Sequence, residues 1–255
     1  MPVSLPRISV ITAVYNAKDT ISDSLDSVMA QTGVDIELII VNGASDDGTS
    51  ELLESRRGDF SVYLNEPDNG IYDALNKGVS RASGDVVGFL HADDVYASTQ
   101  VLARIAAAFA DPSVDAVYGD LTYIGRNSEK VIRYWQAGDF SERQLMHGWM
   151  PPHPTFYVRR EVYERFGTFD TSFRIAADYD CMLRFLGQAK IKCAYIPDVL
   201  VKMRVGGASN RSLSNIIRKT AEDYRALKGN GVGGVKALLW KNLSKLPQFI
   251  KRDGA

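Results

Sequence analysis

The sequence predicts an α/β protein: a Rossmann-like sheet with helices on both faces, parallel at first and mixed further on, followed by a helical extension. Three observations carry this expectation. Four short, β-branched apolar runs alternate with segments of helical periodicity over residues 7–94. Those runs are apolar throughout, as strands buried on both faces are. After residue 97 the order changes to strand pairs with no helix between them, which a mixed sheet accommodates.

The elements follow in order. "RISVITAVYN" (7–16) reads as a strand ending in a polar turn, and "KDTISDSLDSVMAQ" (18–31) places Ile21, Leu25, Val28 and Met29 at helical spacing. "IELIIVN" (36–42) is a second buried strand, "GASDDGTSELLES" (43–55) a turn and a helix, and "FSVYLNE" (60–66) a third strand. "GIYDALNKGVSRA" (70–82) is a helix, and "GDVVGFLHADD" (84–94) holds a fourth strand. Beyond it, "STQVLARIAAAFA" is a helix, while "DAVYGDLTYIG" and "KVIRYWQ" form an antiparallel pair. "HPTFYVRREVYERFG" is a strand and a short helix, and "ADYDCMLRFLGQA" (177–189) a helix with an acidic first turn. "IKCAYIP" and "VLVKMRV" are two further strands, and the tail is two helices separated by "GNGVGG".

Composition bounds the rest. A chain of 255 residues, 45% hydrophobic and 24% charged, can bury a full core without staples. Cys181 and Cys193 lack metal-type spacing and read as small buried thiols, which fits a reducing compartment. No run is long enough to span a bilayer, so a cytoplasmic protein is expected. Charge is uneven: residues 211–255 hold ten Lys/Arg against three acids in a chain whose totals are 30 and 31. A basic tail on an acidic body points to an anionic partner for the tail.

In a parallel sheet flanked by helices, ligands bind beyond the carboxyl ends of the strands. Four such ends converge here: Thr12 to Asn16, Asn42 with the Ser45–Asp47 turn, Glu66 with Asp68, and Asp93–Asp94. Adjacent carboxylates after a buried strand have two explanations, a solvated turn or a hard cation bridging to a phosphate. Other chemistries are disfavoured. The chain has no G-x-G-x-x-G, no P-loop, no G-x-S-x-G elbow, and none of His91, His147 and His153 has zinc spacing to a second ligand.

"ISVITAVYNAKDTISDSLDSV", "IELIIVNGASDDGT", "EPDNGIYDALNKG", "ASGDVVGFLHADD" and "ADYDCMLRF" occur in the order and spacing of family 2 glycosyltransferases, and the chain resembles that family over residues 7–210. The resemblance implies the GT-A fold over 1–210, with 211–255 a basic C-terminal helical extension. "EPDNGIYDALNKG" is most similar to the subgroup building bacterial exopolysaccharide, colanic-acid or O-antigen units. It implies that Thr12, Ala13, Tyr15 and Asn42 meet the nucleoside, and that Asp68, Asn76 and Lys77 continue the donor site. Where the family has a D-x-D metal motif, this chain reads His91-Ala92-Asp93-Asp94. Asp93 falls on the ligand for Mn²⁺ or Mg²⁺ with Asp94 as its helper, His91 falls where it would contact ribose or pyrophosphate, and Ala92 belongs to the same donor site. Arg204, in "KMRVGGASNRS" (202–212), resembles a phosphate partner in a closing segment.

The implied reaction is an inverting, non-processive transfer (EC 2.4, hexosyltransferase type) from a nucleotide sugar, UDP by family frequency, to a saccharide or polyprenyl-diphosphate-linked hydroxyl. Asp178 falls on the general base, with Ala177 in place of a first acid and Asp180 ranked behind it. Trp149 and His153 fall in the acceptor region, though either could equally be core. "VKALLWKNLSKLPQFIKR" (235–252) suits a helix on an anionic membrane surface, or one packed on the body with a solvated basic face. No nucleic-acid partner is implied. The rival readings are a nucleotide-sugar-binding scaffold that has lost catalysis, motivated by Asn42, His91 and Ala177, and a nucleotidyltransferase, for which "AVYNAKDT" lacks the Gly-rich basic loop.

Overall fold

The computed structural model describes residues 5–126, 128, 130–205 and 213–243. Its N-terminal half is a run of β-α units: β1 (Ile8–Val14), α1 (Ile21–Met29), β2 (Ile36–Asn42), α2 (Thr49–Ser55), β3 (Val62–Asn65), α3 (Ile71–Arg81) and β4 (Val86–Phe89). Strands β1 to β4 pair in parallel in the order β3-β2-β1-β4, so their carboxyl ends share one edge. Beyond them come β5 (Val95–Tyr96), α4 (Val101–Ala108), β6 (Ala116–Ile124), β7 (Val131–Trp135), α5 (Glu142–Met146), β8 (Tyr157–Arg159) and α6 (Arg160–Phe166). The chain continues through α7 (Ala177–Leu183), β9 (Cys193–Arg204), α8 (Leu213–Gly229) and α9 (Val235–Leu243). β8 pairs antiparallel with both β4 and β6 and so joins the two halves into one mixed sheet.

The apolar strands bury both faces. One core holds Ile11, Ile39, Phe89, Val158, Phe185 and Leu186; the other holds Ile8, Val10, Leu25, Ile40, Val86 and Ile105. Helix α3 lies tight on β1, because Gly78 presents no side chain there: a Cβ would sit 2.4 Å from Ile11 Cγ2.

Three details differ from the sequence expectation. "IKCAYIP" and "VLVKMRV" form one 12-residue strand, β9, running parallel to β6. The register slips between Gly119↔Ile196 and Asp120↔Val199, so Pro197, which has no N–H to donate, sits in the irregularity instead of ending the strand. The two-residue β5, which pairs with β9, is too short to produce a periodicity. The helix expected over 177–189 is α-helical only to Leu183 and continues as a π-helical turn, Arg184–Gln188.

The tail helices pack on the body. Ala226, Leu227, Val232 and Ala237 belong to the same buried core as α7. Lys241 is buried too, pairing with buried Asp223 at 2.8 Å. The opposite face is open, with Ile216, Ile217, Val235, Leu239 and Trp240 exposed. Residues 206–212 of the expected closing segment and 244–252 of the basic helix lie outside the described residues.

Candidate active site

The edge where β1, β2 and β3 end is assembled by short polar residues that hold one another. Asn42 closes β2 and is fully buried. Its Oδ1 accepts from the Ser45 N–H (3.3 Å) and hydroxyl (2.6 Å), and its Nδ2 donates to Ser50 Oγ (2.8 Å) and Asn65 Oδ1 (2.9 Å). Asn42 therefore supports the edge from behind, with its amide engaged inside the protein. Thr12 is buried as well, its hydroxyl without a hydrogen-bond partner. Asn16 and Asp46 join the β1 and β2 loops reciprocally: Asn16 Nδ2 donates to Asp46 Oδ1 (2.9 Å), and the Asp46 N–H donates to Asn16 Oδ1 (3.1 Å).

Tyr15 projects from this edge, 66% exposed, beside partly exposed Ala13. Asp68 stands against Gly43, where a Cβ would lie 2.4 Å from Asp68 Oδ2 and 3.4 Å from Tyr15 Cδ2. Glycine at 43 thus brings Tyr15 and Asp68 together. Asp68 Oδ1 accepts from the Gly70 N–H (2.9 Å) and shapes the entry to α3. Lys77 reaches back from α3 to the Pro67 carbonyl (2.8 Å) and Glu66 (3.0 Å), and the Glu66 hydrogen bond raises its pKa. Asn76 has a structural engagement: its amide donates to Phe169 O (2.8 Å) and accepts from the Phe169 N–H (3.0 Å), tying α3 to the segment before α7.

At the end of β4, Asp94 turns inward. It is fully buried; its Oδ1 accepts from the Arg204 N–H (3.3 Å), while its Oδ2 has no hydrogen-bond partner. Burial, reinforced by the Asp93 charge, pushes its pKa well up. Asp93 and His91 are half-buried and Ala92 is buried. The Arg204 side chain pairs with Asp23 of α1 (2.6 Å), beside a polar hollow of about 680 Å³ lined by Asp19, Thr20, Asp23, Arg126 and Arg204.

The His91 ring lies 5.5 Å from that of His153, which stacks on Phe89 at 5.6 Å and 22°. Burial holds His153 at a pKa of about 4 and lowers His91 also, although Asp178 acts on both in the opposite sense. Both rings are therefore neutral near pH 7, and the Asp178 charge is felt at both. Asp178, in the first turn of α7, accepts from the Tyr72 hydroxyl at 3.1 Å, and that hydroxyl also donates to Ile175 O at 2.7 Å. Burial, with the neighbouring Asp178 charge, pushes the Tyr72 pKa up, so the phenol keeps its proton. Asp180 faces away and accepts from Asn230 Nδ2 (2.8 Å). Ala177 is fully buried in the core.

Trp149 sits apart from this group. Its indole N–H donates to Ala137 O (2.9 Å), and its ring packs on Tyr118 and Phe140. Of the two residues expected at an acceptor site, only His153 adjoins Asp178 electrostatically. Sequence reasoning overlooked Tyr72, although it stands inside "EPDNGIYDALNKG", six residues before Lys77's neighbour Gly78; its partner is 106 residues away.

Among the described residues no group of three or more His, Cys, Asp or Glu side chains is gathered for a metal. The residues present still fit a cation that completes its shell from a ligand's phosphates, as Mg²⁺ and Mn²⁺ commonly do. Asp93 offers a partly open carboxylate, and Asp94 behind it keeps an unpartnered oxygen.

A parallel sheet with a polar edge at its carboxyl ends, extended by antiparallel strands into one mixed sheet, is the architecture of GT-A transferases. The chain belongs to glycosyl transferase family 2, whose model matches residues 9–177. It is 30% identical over 214 residues to a PGL/p-HBAD biosynthesis glycosyltransferase of Mycobacterium bovis, covering 82% of this chain and 81% of that one. It is 29% identical to an uncharacterised glycosyltransferase of Rickettsia typhi, over 98% and 81% of the two chains. In fold it is similar to the Pyrobaculum calidifontis mannosyltransferase PcManGT in complex with GDP-Man and Mn²⁺ (TM-score 0.66, 21% identity, 98% and 74% covered). It is also similar to S. aureus TarS 1–349 in complex with UDP-GlcNAc (TM-score 0.65, 17% identity, 89% and 66% covered). Against a longer TarS chain it spans 39% of the length.

Proposed function

We propose that this glycosyltransferase is inverting, metal-dependent and non-processive. It moves a sugar from a nucleotide sugar, a UDP-sugar first, to a hydroxyl of a lipid-linked or other saccharide acceptor in bacterial surface polysaccharide synthesis. The observation that carries the reading is the Asp178 carboxylate, fixed by Tyr72 and electrostatically coupled to His91 and His153 at the end of β4. Direct displacement needs a base beside the attacking hydroxyl, and Asp178 is the carboxylate available to receive its proton. Tyr15 and Asp68 would bind the nucleoside, with Thr12 and Asn42 shaping the edge beneath them. Asp93, backed by Asp94, would hold Mn²⁺ or Mg²⁺, which when bound offsets the charge of the departing diphosphate. His153 stays neutral beside the acceptor path, and Arg204 stands by for phosphate.

The tail reading combines both sequence alternatives. Its inner face is anchored in the core, while Trp240, Leu239, Val235, Ile216 and Ile217 remain exposed beside Lys236 and Arg218. That mixture suits an anionic membrane surface carrying a lipid-linked acceptor. No helix among the described residues is long and apolar enough to cross a membrane.

The test is nucleotide release from UDP-glucose, UDP-galactose, UDP-GlcNAc and GDP-mannose, each with Mn²⁺ and with chelator. Release from one donor only with metal is expected. Tight donor binding without turnover over a range of acceptors would favour the scaffold reading.

A further inference from the structure

We infer that Glu222, on the C-terminal helix α8, is a positioning residue for Asp178, and that the extension is thereby part of the catalytic apparatus. This rests on the reading of Asp178 as the base. The first N–H groups of a helix have no partner within it, and a side chain just before the helix usually takes one of them. Helix α7 has Ala176 at that position and no local side-chain cap. Of the helix's own first donors Glu222, 46 residues away, takes only the Ala176 N–H; its other bonds hold the two residues that lead into the helix. Glu222 Oε2 accepts from the N–H groups of Arg174 (3.1 Å), Ile175 (2.8 Å) and Ala176 (3.1 Å), and Oε1 also accepts from Arg174 (3.1 Å). A carboxylate is favoured there by the helix dipole, and charge-assisted bonds are the stronger kind.

The arrangement bears directly on Asp178. The peptide linking Ile175 to Ala176 is held at both ends: its N–H by Glu222, and its C=O by the Tyr72 hydroxyl that also reaches Asp178. A planar peptide held at both ends cannot rotate without breaking one contact. That peptide lies two residues before Asp178, so its orientation sets where the carboxylate begins. The next turn is held from the same side. Lys241 Nζ lies 3.1 Å from the Tyr179 ring centroid and binds Asp223, the neighbour of Glu222, while Asn230 binds Asp180. Three residues of the extension thus grip the backbone and side chains that bracket Asp178.

The experiment compares Glu222→Ala, Glu222→Gln, Tyr72→Phe, the double variant Glu222→Ala/Tyr72→Phe and Asp178→Asn with the wild type. The probe is nucleotide release from whichever of the four donors above the wild type consumes fastest with Mn²⁺ and water as acceptor. Ile105→Ala, which empties a buried site in the other core, away from α7 and α8, controls for general destabilisation. Glu222→Ala is expected to lower kcat at least tenfold with donor KM within twofold. Glu222→Gln, which retains one carbonyl acceptor, is expected to lose less. Ile105→Ala should melt earlier yet keep kcat below its melting temperature. The losses in Glu222→Ala and Tyr72→Phe should be less than additive, because both act through one peptide. Wild-type kcat in folded Glu222→Ala, a loss matched by Ile105→Ala, or fully additive losses would overturn the positioning role while leaving Asp178 as base. Full turnover in Asp178→Asn, or no release by the wild type from any donor, would overturn the base reading and this inference with it.

Discussion

The two sides of the site are built in opposite ways. The proposed donor side, at the ends of β1 to β3, is assembled from residues that are neighbours in sequence or one β-α unit apart: Asn42 with Ser45 and Ser50, Asp68 with Gly70, Asn16 with Asp46. The Asp178 side is assembled from far apart: Tyr72 from 106 residues upstream, and Glu222 from 44 downstream. A local edge keeps its shape whenever its strands pair. A turn gripped from three helices depends on the packing of all of them, and small disturbances there should appear in rate before they appear in binding.

The largest effect expected from this contrast is on the donor side. Asp93→Ala should abolish the Mn²⁺-dependent rise in melting temperature given by a nucleoside diphosphate, since ligand stabilises the fold only in proportion to its binding. An unchanged rise would remove Asp93 from metal binding. Next comes the dependence of stability on pH. His153 has a folded pKa of about 4 against an ordinary 6.5, so the unfolded chain binds the proton more readily between those values. Its contribution is present above pH 6.5 and is lost as pH falls towards 4, by about 3 kcal/mol in all. His153→Phe should flatten the denaturant-midpoint profile in that window relative to wild type; parallel profiles would show that His153 does not carry it. The smallest of these three effects comes from a peripheral change on the Asp178 side. Tyr72→Phe removes one shared hydroxyl and should cost about 1 kcal/mol of stability, with a fall in kcat of about tenfold and little change in donor affinity. A fall in affinity without a fall in kcat would move Tyr72 to the donor side.

The same contrast explains what the sequence disclosed. The β-α alternation, the strand ends and the acids upon them were legible because each is a local pattern. The surroundings of Asp178, Tyr72 and the residues that hold the turn before α7, were not legible, because periodicity says nothing of what lies opposite a helix. Asn42 and Asn76 read as donor-facing groups and Trp149 as either acceptor-facing or core, and the structure turns their polar atoms to Ser45, Phe169 and Ala137. A buried amide or indole with a distant partner looks no different in sequence from an exposed one. The single strand β9 was divided at Pro197 because proline usually ends a ladder. The tail's lysines suggested an exposed surface, yet Lys241 is buried against Asp223, a pairing 18 residues apart with no local sign.

The central claim is that donor binding and proton acceptance are carried by separate groups of residues, with Asp178 the proton acceptor. It is tested most directly by Asp178→Asn, measuring donor affinity by calorimetry and nucleotide release in the same preparation with Mn²⁺. The account predicts donor affinity within about twofold of wild type and release reduced by about a thousandfold, within the range a general base contributes. Release close to wild type, or loss of donor binding together with release, would contradict it.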